Sequence, residues 1–148
     1  MNMHHIDIML ADDDKDDCNF FREALEELPF LSKLTTLHDG QQLLQHLSQT
    51  AINLPDVLFL DLNMPRKSGF DCLTEIKANN QIKSIPVIIL STSLEHRIAN
   101  LLYKNGARHY IRKPSHFSQL KQIIHLAINK VIKEKYAPLT QDNFIISL

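Results

Sequence analysis

The sequence lacks the features that mark several large classes of protein. Its two cysteines, Cys18 and Cys72, lie far apart and show no paired spacing. This excludes a disulfide-rich scaffold and favours free thiols in a reducing compartment. The N-terminus has no cationic segment followed by a long apolar stretch, so we expect neither a signal peptide nor a membrane span. These absences predict a cytoplasmic protein that stays in solution.

An excess of charge of one sign is also missing. The 16 basic and 17 acidic side chains give a formal net charge of -1, so no broad electrostatic attraction to nucleic acid is expected. We find no internal repeat, low-complexity tract or linker. At 148 residues the chain fits one domain that buries roughly two-thirds of its unfolded surface. We expect a domain over residues 1–135, a tail over 136–148 in which Phe144, Ile145 and Ile146 can dock on that domain, and no separate output domain.

What the sequence does contain is an alternation of short apolar runs with segments of helical period. Five runs are predicted strands: Ile6–Ala11, Lys33–Leu37, Asp56–Asp61, Pro86–Ser91 and Ala107–Arg112. Apolar residues recur at helical spacing between and after these runs, with the third helix predicted around Phe70–Ala78. Five strands that are each followed by a helix predict a doubly wound α/β fold with right-handed crossovers.

The local sequence also predicts where several helices begin and end. Asp14 is the expected N-cap of the first helix, and Asp39 is a candidate N-cap of the second. Asn105-Gly106 fits the C-terminal stop of the fourth helix. The eight histidines, including His4, His5 and His109, show no metal-ligand pattern, and we expect them on the surface or in loops.

Polar residues stand at the carboxyl ends of the predicted strands. The strand Val57–Leu60 is apolar at every position and ends on a carboxylate, Asp61, which suits a central parallel strand with a placed charge at its end. The first, fourth and fifth strands end in Asp12–Asp14, Ser91–Ser93 and Lys113-Pro114. Ligands bind at these strand ends in open α/β sheets, so the sequence predicts a site there.

Three carboxylates are expected to converge at this site. Strand order 2-1-3-4-5 places the first and third strands side by side, which brings Asp12, Asp13 and Asp61 together. Two carboxylates about 4 Å apart repel by roughly 4 kcal/mol at an effective dielectric constant of 20. A hard divalent cation with oxygen ligands, Mg²⁺ above all, suits such a cluster and can bridge a carboxylate to a phosphate. The cluster therefore points to phosphoryl chemistry.

Taken together and in order, these motifs resemble those of the response regulator receiver domain of two-component signalling. The resemblance rests on the acidic pair after the first strand, "DLNMP" with a later Gly69, "VIILSTS" and "GARHYIRKPSH". It covers residues 5–133 and implies a chemotaxis-regulator-like, flavodoxin-like fold with a five-stranded parallel sheet and five flanking helices. The segment "DLNMPRKSG" is similar to that of stand-alone regulators associated with phytochrome-type and other sensor kinases.

The resemblance implies a role for the carboxylates. Asp61 is the expected phosphoacceptor, which takes a phosphoryl group from a histidine kinase or a histidine phosphotransfer protein. Asp12 and Asp13 would hold Mg²⁺ together with Asp61 and the backbone carbonyl of Asn63. The expected function is that of a phosphoprotein in a phosphorelay, with slow loss of phosphate rather than enzymatic turnover.

Four further residues complete the expected mechanism. Lys113 supplies a positive charge to the acceptor or its phosphoryl oxygens, and Pro114 is expected to make a cis peptide that aims this side chain inward. Ser91 can donate its hydroxyl to a phosphoryl oxygen, and Tyr110 corresponds to the rotameric switch of the family. Phosphate on Asp61 would draw in Ser91 and leave space that Tyr110 fills.

The switch is expected to change one face of the domain. This is the face formed by the fourth helix, the fifth strand and the fifth helix. An unknown downstream protein would bind there, and a homodimer could form through the same face. We expect no direct contact with nucleic acid or membrane.

Other interpretations of the same residues stay open at this point. Asp12, Asp14 and Asp16, with Glu23, have the ligand spacing of a calcium-binding loop, but Asp17 stands where that loop needs glycine. Asp16 and Asp17 are also interpreted as solvated acids at a helix start.

Two rival functions also stay open. An aspartate-nucleophile phosphohydrolase places a second acid two residues after the nucleophile, and Asn63 argues against it. Asp12 and Asp14 have that spacing, but the chain has little room for a cap domain. A phosphorylation-independent interaction module with the same fold is the other rival.

Overall fold

The computed structural model describes residues 5–49, 53–134 and 140–148. Its strands are β1 (His5–Ala11), β2 (Leu31–Leu37), β3 (Val57–Asp61), β4 (Val87–Ser91), β5 (His109–Arg112) and β6 (Ile145–Ile146). Its α-helices are α1 (Lys15–Glu26), α2 (Gly40–Gln49), α3 (Gly69–Ala78), α4 (His96–Lys104) and α5 (Phe117–Lys133), and a 3-10 turn spans Gln141–Asn143. None of the helices within these ranges is long and apolar enough to cross a membrane.

The strands form one parallel sheet in the order β2-β1-β3-β4-β5-β6. The predicted order of the first five strands is confirmed. The expected docking of Phe144, Ile145 and Ile146 is also confirmed, but it includes a sixth strand, β6, that the sequence analysis did not predict. Every residue of β3 and β4 is buried, as expected for central strands covered on both faces. The switch in strand order lies between β1 and β3, where Ala11 pairs with Leu60.

Helices cover both faces of the sheet. On one face α1 and α5 pack against the sheet, and the Phe21 and Phe59 rings meet edge to face at 5.0 Å between centroids. On the other face α2, α3 and α4 pack against β3, β4 and β5. Cys18 and Cys72 are buried on opposite faces and unpaired, as predicted. The helices cover the two faces of the sheet and leave open the edge at which the strands have their carboxyl ends.

The predicted ends of three helices are confirmed. Asp14 caps α1 by accepting hydrogen bonds from two backbone amides of its first turn. Asp39 Oδ1 accepts a 2.8 Å hydrogen bond from the amide of Gln42 at the start of α2. After α4 the chain turns at Gly106, whose φ of 96° favours glycine.

The expectation that the histidines lie on the surface or in loops is wrong for His109. This residue belongs to β5 and is 0% exposed. Its Nδ1 atom lies 3.1 Å from the carbonyl oxygen of Phe144, and its Nε2 atom lies 2.7 Å from Glu134 Oε2. Burial is tolerated because both ring nitrogens have oxygen partners. The expectations for His4 and for residues 135–139 lie outside the described residues.

Candidate functional site

The strand order brings the three predicted carboxylates together. Asp12 follows the last residue of β1, Asp61 ends β3, and the two strands are neighbours. Carboxylate oxygens of Asp12, Asp13 and Asp61 all lie within 4.8 Å of one another. Asp12 is 2% exposed and Asp61 is 6% exposed, whereas Asp13 is exposed. The predicted acidic cluster at the carboxyl edge of the sheet is therefore confirmed.

Asp61 has an electrostatic environment that disfavours its charge. Burial raises its pKa from 3.8 to about 7, and the nearby charge of Asp12 adds to the increase. The charge of Lys113 and a 3.3 Å hydrogen bond from the amide of Asn63 act in the opposite direction. The metal-free site thus holds a carboxyl group that is readily protonated near neutral pH.

Lys113 is the positive charge at the centre of this site. Its Nζ atom lies 2.9 Å from Asp12 Oδ2, 3.1 Å from Asp17 Oδ2 and 3.5 Å from Asp61 Oδ2. Burial alone lowers the pKa of Lys113, but the hydrogen bond and charge of Asp12, with Asp61 and Asp17, outweigh it and raise the pKa above its ordinary value. The lysine is therefore charged and shared among three carboxylates.

The contact with Asp17 was missed by the sequence analysis, which interpreted this residue as a solvated acid. Its side chain is 41% exposed and bonds Lys113 from the first turn of α1. The neighbouring Asp16 lies in the same turn. No pattern in the sequence distinguishes these two acids. Their difference comes from the direction in which the helix leaves its cap at Asp14.

Ser91 and Tyr110 meet the same short segment after β4. Ser91 is the last residue of β4 and is 1% exposed, and its Oγ atom accepts a 3.3 Å hydrogen bond from the amide of Ser93. The hydroxyl of Tyr110, also 1% exposed, donates a 2.5 Å hydrogen bond to the carbonyl oxygen of Ser93. Ser93 therefore connects the two residues predicted to form the switch.

The loop after Asp61 is held close to it by Gly69. A Cβ atom at this position would meet the carbonyl oxygen of Asp61 and the Cα atom of Leu62. The amide of Gly69 donates a 2.9 Å hydrogen bond to the carbonyl oxygen of Leu62. Within the same loop Arg66 has a φ of 68°, which is uncommon for a residue other than glycine. The loop therefore folds back tightly against the backbone of Asp61 and Leu62.

The expected cis peptide at Pro114 is contradicted. No peptide bond among the described residues is cis, so the bond between Lys113 and Pro114 is trans. The trans form is favoured by about 0.5–1 kcal/mol before proline. The amide of Lys113 donates a 2.7 Å hydrogen bond to the carbonyl oxygen of Ser91, which continues the strand pairing, and the lysine reaches the cluster from this backbone.

The residues at the site fit a divalent cation. The cluster offers several carboxylate oxygens within 4.8 Å of one another, and hard cations such as Mg²⁺ prefer oxygen ligands. Neutralising Asp12 and Asp61 would also relieve the unfavourable burial of Asp61. The calcium-binding loop is contradicted, because Asp14 caps α1 and Glu23 lies inside that helix rather than at the end of a loop.

A cavity of about 310 Å³ opens beside the cluster between α1 and α5. Asp17 and Lys113 are among the residues that line it. Phe20 and Phe117 also line it, and these rings are 51% and 37% exposed. A cavity with exposed aromatic rings therefore lies next to the carboxylate cluster.

Comparison with known proteins agrees with this geometry. The family model of the response regulator receiver domain matches residues 8–125. The response regulator Rcp1 of Synechocystis sp. is 31% identical over 121 residues, which are 79% of this chain and 82% of Rcp1.

Solved structures give the same result. The phosphorylated cyanobacterial phytochrome response regulator RcpA is 34% identical with a TM-score of 0.79, and the match covers 87% of this chain and 95% of RcpA. The Mn²⁺-bound form of Rcp1 is 29% identical with a TM-score of 0.75, and the match covers 91% of this chain and 99% of Rcp1.

Proposed function

The chain belongs to the response regulator receiver family of two-component signalling, and we propose that Asp61 is its phosphoacceptor. The observation that supports this assignment is the position of Asp61 at the centre of the site. Its carboxylate lies 3.5 Å from the amine of Lys113 and within 4.8 Å of two further carboxylates. Asp12 is held more tightly, because its contacts with Lys113 and with the amide of Asp14 are both 2.9 Å long. The corresponding contacts of Asp61, with Lys113 and with the amide of Asn63, are 3.5 Å and 3.3 Å, which leaves Asp61 freer to attack.

The proposed reaction is a phosphoryl transfer to a carboxylate oxygen. A bond forms between Asp61 and phosphorus while the bond from phosphorus to the donor nitrogen or oxygen breaks. Such a transition state is loose, so positioning and charge neutralisation matter most. Lys113 supplies part of the neutralising charge. Mg²⁺ held by Asp12, Asp13, Asp61 and the backbone carbonyl of Asn63 would neutralise the phosphoryl oxygens and keep Asp61 ionised.

We assign Ser91 and Tyr110 to the response. The Ser91 hydroxyl would donate to a phosphoryl oxygen, and the Ser93 segment would move with it because the Ser93 amide bonds Ser91 Oγ. Tyr110 would follow through its hydroxyl bond to the Ser93 carbonyl. The change would then reach α4, β5 and α5, where a downstream protein would bind.

The phosphodonor in this proposal is a histidine kinase or a histidine phosphotransfer protein. The cavity between α1 and α5 offers a docking place for such a donor. Its exposed rings, Phe20 and Phe117, suit the apolar face of a donor helix, and Lys113 lines the same cavity. Such signalling belongs to the reducing interior of a cell, in line with the two unpaired cysteines.

A phosphohydrolase of the aspartate-nucleophile class is the second candidate. It would need a general acid two residues after Asp61, and Asn63 occupies that position. Steady release of phosphate from small esters would favour this candidate, whereas a receiver retains one phosphoryl group per molecule and then loses it slowly.

The test is intact-mass spectrometry after incubation with acetyl phosphate, with Mg²⁺ and with chelator. We expect a single phosphoryl adduct on the wild type that requires Mg²⁺ and is absent from Asp61→Asn. Asp71→Asn, which changes an exposed acid in the first turn of α3, is the matched control and should be labelled like the wild type. Labelling of Asp61→Asn at the wild-type rate would exclude Asp61 as acceptor.

A further inference from the structure

The C-terminal segment of the described chain closes the edge of the sheet next to β5. Ile145 pairs in parallel with Tyr110, and Ile146 pairs with Ile111. The amide of Tyr110 donates a 3.0 Å hydrogen bond to the carbonyl oxygen of Phe144. Without this segment β5 would present unpaired backbone groups, which is the usual template for strand pairing with another chain.

Phe144 anchors this segment by burial. Its side chain is 2% exposed. The ring meets Tyr103 of α4 edge to face at 5.4 Å between centroids and lies 6.5 Å from the ring of Tyr110. Ile146, two residues later, is 3% exposed. The segment therefore fills an aromatic pocket between α4 and β5 in addition to pairing with the strand.

Polar contacts join the same segment to both flanking helices. Gln141 Nε2 donates a 2.9 Å hydrogen bond to Asn100 Oδ1 of α4. His109 bridges the Phe144 carbonyl oxygen and the Glu134 carboxylate at the end of α5 through its two ring nitrogens. The segment thus spans the face formed by α4, β5 and α5, where the proposed output of the domain lies.

A continuous set of contacts runs from this segment to the phosphoacceptor site. Phe144 packs beside Tyr110, and the Tyr110 hydroxyl bonds the carbonyl oxygen of Ser93. The amide of Ser93 bonds Ser91 Oγ at the carboxyl end of β4. Tyr110 therefore contacts the C-terminal segment with its backbone and ring, and the site loop with its hydroxyl.

We propose that the edge of β5 and its aromatic pocket form a strand-docking site occupied by residues 144–146, and that its occupancy is coupled to phosphorylation through Tyr110. When the segment is docked, the Phe144 ring packs beside the Tyr110 ring, which is in its buried position. Phosphorylation that holds Ser91, Ser93 and Tyr110 inward would then tighten docking, and docking would favour phosphorylation to the same extent by linkage. This inference rests on the proposed function of Asp61.

The coupling has a consequence for partners. While residues 144–146 are docked, the edge of β5 is closed to a partner strand. A downstream protein must therefore recognise the docked segment together with α4, or displace it. If the downstream protein recognises the docked segment, the segment is part of the signalling surface. If the downstream protein displaces it, the segment competes with that protein for the edge of β5.

The test uses beryllofluoride with Mg²⁺ as the probe of the phosphorylated state. Hydrogen–deuterium exchange of the peptide covering residues 140–148 is measured with and without the probe, and probe affinity is measured by fluorine NMR titration. We expect exchange to slow at least threefold in the wild type. Phe144→Ala should weaken probe binding about fivefold, the low end of typical coupling factors.

Two variants keep this result interpretable. Leu148→Ala, at a side chain 63% exposed, should behave as the wild type. Asn100→Ala removes the hydrogen bond from α4 to Gln141 at an exposed position, so it should weaken probe binding in the same direction even if Phe144→Ala fails to fold.

The outcomes separate the inference from the proposed function. Probe binding with unchanged exchange at residues 140–148, or with wild-type affinity in both Phe144→Ala and Asn100→Ala, would overturn the coupling and leave the receiver function intact. Failure of the wild type to bind the probe in the presence of Mg²⁺ would overturn the proposed function of Asp61, and the inference with it.

Discussion

Replacing Asp61 with asparagine should stabilise the metal-free protein at alkaline pH. The side chain is 6% exposed, and burial with the charge of Asp12 raises its pKa from 3.8 to about 7. Asparagine keeps the shape of the side chain and removes the charge. Lys113 loses one ion pair but keeps its contacts with Asp12 and Asp17, so the substitution leaves no buried cation unpaired.

The magnitude follows from the change in pKa. Each unit corresponds to about 1.36 kcal/mol, so the ionised carboxylate lowers the free energy of unfolding by at most about 4 kcal/mol at pH 8. Because the folded-state pKa is raised, the folded protein binds more protons than the unfolded chain between the two pKa values. The stability contributed by protonated Asp61 is complete below the unfolded pKa and is lost as pH rises through about 7.

The advantage of Asp61→Asn should therefore depend on pH. At pH 5 the same linkage leaves a difference of only about 2 kcal/mol, because pH 5 lies only about one unit above the unfolded pKa of 3.8 and most of the proton-linked loss of stability occurs between pH 5 and pH 7. Urea denaturation of both proteins in chelator at pH 5 and pH 8 measures the two differences. Asp7→Asn, at an exposed position of β1, is the control and should change stability by less than about 0.5 kcal/mol at both pH values.

Two results would refute this reasoning. A stability difference that is the same at pH 5 and pH 8 would show that Asp61 does not titrate between them. A destabilised Asp61→Asn protein at pH 8 would show that the ion pair with Lys113 outweighs the burial of the charge. Addition of Mg²⁺ at pH 8 should stabilise the wild type and leave Asp61→Asn almost unchanged.

Three further substitutions test the account. Asp17→Asn should change stability by less than about 1 kcal/mol, because the pair with Lys113 is partly exposed. It should also speed labelling by acetyl phosphate a few-fold as Lys113 shifts toward Asp61. Equal rates in Asp17→Asn and Asp16→Asn would contradict this. Gly69→Ala should lower stability by about 1–3 kcal/mol in urea denaturation, since its Cβ atom would meet backbone atoms, and an unchanged midpoint would be contrary evidence. Arg66→Asn should raise stability by about 0.5–1 kcal/mol, because asparagine tolerates a φ of 68° better; a lower melting temperature would show that the exposed pair with Asp39 matters more.

Much of the site could be predicted from the sequence because it depends on strand order. An apolar run that ends on Asp61, and another that ends before Asp12, must bring these carboxylates together once their strands are neighbours in a parallel sheet. Lys113 follows the same logic from the end of β5. The cap at Asp14 was predictable for a local reason, since aspartate satisfies free amides at a helix start.

The features that were missed depend on tertiary contacts. β6 has two residues, too few for any periodic pattern, and its pairing is decided by the pocket that receives Phe144. The burial of His109 follows from that pairing and from Glu134, neither of which is near it in the sequence. Asp17 and Asp16 are both acids in the first turn of α1, and the orientation of the helix alone decides which one reaches Lys113.

The central claim is that Asp61 itself carries the phosphoryl group, and chemical mapping of the acceptor tests it most directly. The protein is incubated with acetyl phosphate and Mg²⁺, then reduced with borohydride, which converts an aspartyl phosphate to homoserine. Peptide mass spectrometry locates the converted residue. We predict conversion at position 61 alone, and none when Mg²⁺ is chelated. Conversion at position 12 or 13 would contradict the account, as would a phosphoryl adduct that borohydride leaves unchanged.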